Sequence, residues 1–111
     1  MINWKNDIRP EATYFANIFN YYLSDDLEGY QERDGITLDL VHNIDGFLGW
    51  ESHKSEGLGS FISYWRDKDA INQWRKDLTH QKAKAEGMSR WYKYYHTMLV
   101  KVESARFHEP Q

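Results

Sequence analysis

The chain predicts an α+β fold of element order βαββαβ, a four-stranded antiparallel sheet with two helical segments on one face. Three observations predict it. Residues 13–23 (TYFANIFNYYL) are rich in β-formers and apolar on both alternating faces. A hairpin is centred on Ser55-Glu56-Gly57. A helical stripe of Ala70, Ile71, Trp74 and Leu78 then separates that hairpin from a closing strand, KYYHTMLVKVE.

Residues 1–12 are polar, contain Pro10, and read as an N-terminal arm before a single domain over 13–104 and a short tail over 105–111. The first strand puts Phe15, Asn17, Phe19 and Tyr21 on one face and Tyr14, Ala16, Ile18, Asn20 and Tyr22 on the other. Ser24-Asp25-Asp26 offers N-caps for a helix over about 26–43, with Leu27, Tyr30, Leu38, Val41 and Ile44 on its apolar stripe and Gly35 as a weak spot. Strands over 47–54 and 58–66 flank the hairpin turn. Asp67 caps the second helix, which is expected to break near Leu78-Thr79 and to stop at Gly87. The last strand covers 93–103. This is a ferredoxin-like arrangement in which the sheet face away from the helices is also apolar. Pairing two such sheets face to face in a homodimer covers that face most simply.

Composition narrows the function. At 111 residues the chain can build one core. Aromatic residues reach 16%, more than a small core needs, so some rings are expected to line a pocket or an interface. The net charge is −3 without a basic cluster, which argues against nucleic acid. There is no cysteine, and so no disulfide or thiolate chemistry. No stretch has the length of a membrane span or the apolar core of a secretion signal, so no membrane partner and a cytoplasmic location are expected.

The first candidates for chemistry are Trp74 and His80. Six residues apart on an unbroken helix they would diverge, by about 600° of rotation; a break at Leu78 would let them converge on one cavity. An imidazole moves protons or ligates iron, and an indole shapes an aromatic pocket or donates its N–H. A histidine early in a helical segment also serves as a plain capping residue. Asn17, between Phe15 and Phe19, is an amide that must satisfy several hydrogen bonds, from a neighbouring backbone or from a ligand. His53 and His96 read as solvent-facing or interface residues. The five histidines show no metal-ligand spacing, and no metal site is expected. Phosphate-binding loops and a nucleophile elbow are absent, and Gly57-Leu58-Gly59 is a turn element.

Gly46-Phe47-Leu48-Gly49-Trp50-Glu51-Ser52, Ile62-Ser63-Tyr64-Trp65, Ala70-Ile71-x-x-Trp74, His80-Gln81-x-Ala83, Gly87, Trp91-Tyr92 and Val100-x-Val102-Glu103 together resemble the antibiotic biosynthesis monooxygenase domain, in its small stand-alone bacterial form, over roughly residues 12–104. The resemblance implies a dimeric α/β barrel of two ferredoxin-like protomers. It also implies a monooxygenase oxidising a small electron-rich aromatic molecule with O2 and no cofactor. In that reading Asn17, Trp74 and His80 do the chemistry, and Trp65, Trp91, Tyr92 and Phe15 build the substrate pocket. A related branch binds and degrades haem with an Asn on strand one and a Trp and His in the second helical region. Asn17 and Trp74 match that pattern, whereas His80 lies closer behind the Trp than that branch's haem ligand does. A dimeric ligand-binding module without activity is the alternative outside enzymology.

Overall fold

The computed structural model describes the backbone of residues 1–84 and 88–109 and the side chains of 1–77 and 90–109. A two-residue strand β1 (Asn3–Trp4) precedes β2 (Tyr14–Leu23), helix α1 (Tyr30–Val41), β3 (Phe47–Ser55), β4 (Leu58–Trp65), α2 (Lys68–Lys84), the short α3 (Met88–Trp91) and β5 (Tyr92–Val102). All pairings are antiparallel, and the strands lie in the order β1-β3-β4-β2-β5. The sheet thus has five strands where four were expected. The extra strand is contributed by the polar N-terminal segment, whose residues 3 and 4 pair with Trp50 and Gly49. That approach requires a glycine at 49, because a Cβ there would come within 2.8 Å of the Asn3 carbonyl oxygen. No described helix is long and apolar enough to cross a membrane.

Local chemistry sets the element ends. Glu56 and Gly57 both have positive φ (49° and 83°) and close the β3–β4 hairpin as a two-residue turn whose twist matches the strands. Asp67 caps α2 by accepting from the Ala70 N–H at 2.9 Å. Arg66 holds the start of the same helix to the α1–β3 loop, reaching both Asp45 oxygens at 3.3 and 3.1 Å. Helix α1 begins at Tyr30, a full turn after its expected start. Ser24 is not its cap: its hydroxyl donates to the Arg90 carbonyl and its N–H donates to that of Trp91. Helix α2 runs continuously to Lys84, so the expected break near Leu78 is absent. The expected stop at Gly87 lies outside the described residues.

The core lies between the helices and the inner face of the sheet. Val41, Ile44, Phe47, Trp65, Ala70, Ile71 and Trp74 form one buried cluster. A register shift between Phe47 and Gly49 lets Phe47 and Trp50 both join the helix side despite their odd spacing. On the outer face the register aligns Leu58, Tyr22 and Tyr94 in one row and Ile62, Ile18 and Met98 in another, with Ser60, Asn20 and His96 between them. The two chain ends cover part of this face. Trp4 packs on Tyr14 and Tyr64, Phe107 packs on Trp4, and Arg9 sits 4.0 Å above the Phe107 ring while pairing with Glu109.

Two glycine substitutions separate packing from propensity. A Cβ at Gly59 would fall 2.0 Å from the Tyr21 ring, which lies across β4 at that point. Gly59→Ala is expected to cost about 1–3 kcal/mol through forced repacking. A Cβ at Gly35, inside α1, would meet nothing within 4 Å. Gly35→Ala is expected to stabilise by roughly 0.5–1 kcal/mol. Urea denaturation midpoints of the two variants should move in opposite directions.

Candidate functional site

The described side chains of the helices leave space above the inner face. They leave a cavity of about 360 Å3 enclosed by the sheet, α1, α2 and the α3–β5 junction. Its floor comes from alternate positions of three strands: Asn17, Phe19 and Tyr21 of β2, Phe61 and Ser63 of β4, and Trp50, Ser52 and Lys54 of β3. Helix α1 contributes Tyr30, Arg33, Asp34, Thr37, Leu38 and Val41, and α2 contributes Trp74. Trp91, Tyr92 and Thr97 complete the wall.

The two ends of the cavity differ in chemistry. One end abuts the core, where Trp74 is 6% exposed and stacks on Trp65 with ring centroids 6.3 Å apart. Trp50 and Phe61 stack across the β3–β4 pair at 5.8 Å. Asn17 stands at this end, its Oδ1 accepting from Arg75 Nη2 at 3.3 Å, so what the amide offers the cavity is its NH2. Ser63 is buried but engaged, its Oγ accepting the Trp65 indole N–H at 2.8 Å.

The other end is phenolic. Tyr92 packs on Tyr21 at 5.4 Å and on Tyr30 at 6.1 Å between centroids, and Trp91 packs on Tyr30 at 5.8 Å. Trp91 is itself fixed by its indole N–H, which donates to the Glu28 carbonyl at 2.8 Å. Burial pushes the Tyr30 phenol up to about 12, with its hydroxyl contacts to Tyr21 and Tyr92 acting in opposite senses. Burial also raises Tyr21 and Tyr92, the former reinforced by its contact with Tyr30. All three therefore stay protonated at neutral pH and act as hydrogen-bond donors rather than bases. Exposed Lys54 and Asp34 and half-buried Arg33 bring charge to the same cavity, with Lys54 Nζ 5.4 Å from the Tyr30 ring centre.

Of the residues singled out from sequence, Asn17, Trp74, Trp91 and Tyr92 line this one cavity. Trp65 is fully buried in the core, behind Trp74, and Phe15 packs against that core as well. His80 is on α2, and its side chain lies outside the described residues. Tyr21, Tyr30, Trp50, Phe61 and Lys54 escaped the sequence reading as site residues, although strand alternation from Asn17 carries directly to Tyr21. His96 is on the opposite, outer face, bonded to Tyr94 and Asn20. The described residues contain no group of three acidic, histidine or cysteine side chains placed to hold a metal ion.

No protein-family model matches the chain. Over 98 residues it is 41% identical to YqjZ of Bacillus subtilis, an uncharacterized protein, a stretch covering 87% of this chain and 86% of that one. Among solved structures, it superposes on SO0527 of Shewanella oneidensis with a TM-score of 0.70 at 11% identity, covering 84% of this chain and 94% of that one. It superposes on SnoaB, a cofactor-independent oxygenase of Streptomyces nogalater, with a TM-score of 0.65 at 15% identity, covering 90% and 100%. A Bordetella bronchiseptica protein provisionally named an antibiotic biosynthesis monooxygenase gives 0.62 at 12% identity, covering 80% and 96%. At these identities the superpositions show a shared fold.

The phenols make a prediction about pH. Tyr30 is neutral in the folded state up to about 12, well above the ordinary value of 10.0. Its stabilising contribution is complete below pH 10 and is lost as pH rises toward 12. In an alkaline absorbance titration the exposed tyrosines should ionise first. The cluster should ionise only together with loss of far-ultraviolet dichroism.

Proposed function

The chain belongs to the family of Bacillus subtilis YqjZ, and we propose that it is a cofactor-independent oxygenase acting on a small, planar, electron-rich aromatic substrate. The observation that supports this reading most is the cavity itself, about 360 Å3 walled by stacked indole, phenyl and phenol rings with a few directed donors. Flat aromatic walls suit a flat aromatic guest, and in this reading the Asn17 amide donates to one of its oxygens. The scaffold is shared with SnoaB, a cofactor-independent oxygenase, which is consistent with the same class of chemistry.

The reaction needs no external reductant. A substrate with an acidic methylene beside a phenol or ketone loses a proton, and the resulting anion passes one electron to O2. The substrate radical and superoxide combine to form a C–O bond, giving a peroxide after protonation. Loss of water then breaks the O–O bond and leaves a carbonyl. In sum CH2 and O2 become C=O and H2O, the substrate supplying every electron. The protein contributes orientation by the rings, hydrogen bonds to the anion, and exclusion of bulk water.

The outer sheet face supports the dimeric barrel as part of the same proposal. Tyr22, Leu58, Tyr94 and Met98 are each 43–55% exposed there, and Tyr22, Leu58 and Tyr94 edge an open hollow of about 490 Å3. A second copy seated on this face would cover these rows. Light scattering after size exclusion should give twice the chain mass, and Leu58→Glu with Tyr94→Glu should return a folded monomer.

Activity is tested by following O2 uptake with anthrone under 18O2. The expected product carries one labelled oxygen in place of two hydrogens, formed faster than without protein. Asn17→Ala should slow the protein-dependent rate by roughly 10²-fold, the scale for losing one donor to a developing anion. Binding of the aromatic with no rate above the uncatalysed background would favour a ligand-binding module instead.

A further inference from the structure

We infer that the tyrosine end of the cavity is an oxyanion subsite, where the Tyr92 hydroxyl donates to an ionised oxygen of the aromatic ligand and Lys54 supplies the counter-charge. The inference deepens the oxygenase reading and rests on it, since it states which end of the cavity receives the substrate's oxygen.

Three phenols in a row carry three O–H donors. Tyr92 stands between the other two, its ring packed on Tyr21 at 5.4 Å and on Tyr30 at 6.1 Å between centroids, and all three line the cavity. The placement is built rather than incidental: the Tyr21 ring occupies the space that only a glycine at 59 leaves over β4. Burial keeps all three groups protonated, so the row gives hydrogen bonds and does not accept a proton.

The charges at this end favour an anion. Lys54, above the Tyr30 ring, and Arg33 both line the cavity, and Asp34 is the carboxylate that opposes them. A neutral aromatic gains little from this arrangement. An enolate, phenolate or carboxylate gains a charge-assisted bond from a phenol and attraction to an ammonium. Holding the anion is also what the oxygenation needs, because only the anion passes an electron readily to O2.

Isothermal titration calorimetry at neutral pH with 2-naphthoate and its uncharged isostere 2-naphthamide tests the subsite. Naphthoate is expected to bind about tenfold more tightly than naphthamide, the scale of one hydrogen bond to a charged group. Tyr92→Phe and Lys54→Met should each reduce the preference for naphthoate over naphthamide to near parity. Tyr92→Phe keeps the ring and Lys54 is exposed, and a dichroism spectrum confirms that each variant is folded. Equal affinities in the unmodified protein would overturn the subsite and leave the aromatic cavity standing. A preference for naphthoate that survives both variants would overturn it as well. If neither compound binds, the subsite and the oxygenase reading fall together.

Discussion

A sheet whose interior strand is apolar on both faces has to be covered twice, and this constraint organises the molecule. Strand β2 lies between β4 and β5, with Phe15, Phe19 and Tyr21 turned to the helices and Tyr14, Ala16 and Ile18 turned away. Two helices take the first face. On the second, Tyr14, which packs under Trp4, and Ala16 are each 3% exposed, while Tyr22 at the far end of the strand remains 45% exposed. The contrast along one strand shows where a single chain runs short of covering material. It is the physical ground for expecting a second copy on that face.

Cover on the helix side is uneven in a different way. The buried cluster of Phe47, Trp65, Ile71 and Trp74 gathers where α2 starts, held there by the Asp67 cap and by the grip of Arg66 on Asp45. Helix α1 starts only at Tyr30, and Trp91 and Tyr92 meet it from the other side. Among the described residues, no side chain fills the layer between these two anchored regions. The cavity is thus a by-product of fastening the helices at separated points, and its aromatic walls are the edges of those fastenings.

Much of the fold was legible because it rests on short-range signals. Alternation marked β2, β3, β4 and β5 to within one or two residues, and Glu56-Gly57 marked the hairpin. What was missed depends on distant contacts. Strand β1 is two residues long and exists through pairing with Trp50 and Gly49, and Ser24 gave up its capping role to bind the backbone near Trp91. For the site, Asn17 and Trp74 were visible as an amide on an apolar face and a ring on a helical stripe. Trp65 and Phe15 are apolar and inward-pointing as well, and nothing local distinguishes a core ring from a wall ring. Lys54 and Asp34 look like solvated charges in sequence, and only the folded arrangement brings them beside three phenols. The shift near Leu48 hid Trp50, since strict alternation from Phe47 sends it to the wrong face.

The distribution of indoles has a consequence for how the protein can be watched. Of five tryptophans, Trp50, Trp74 and Trp91 stand in the cavity wall, Trp65 lies directly behind Trp74, and Trp4 alone is on the outer face. Intrinsic emission therefore originates mostly from rings that an occupant would touch or that touch those rings. A guest absorbing in the near ultraviolet would quench them by energy transfer over a few ångströms. Filling and emptying of the site would thus report themselves in real time, without a label and with no need for turnover.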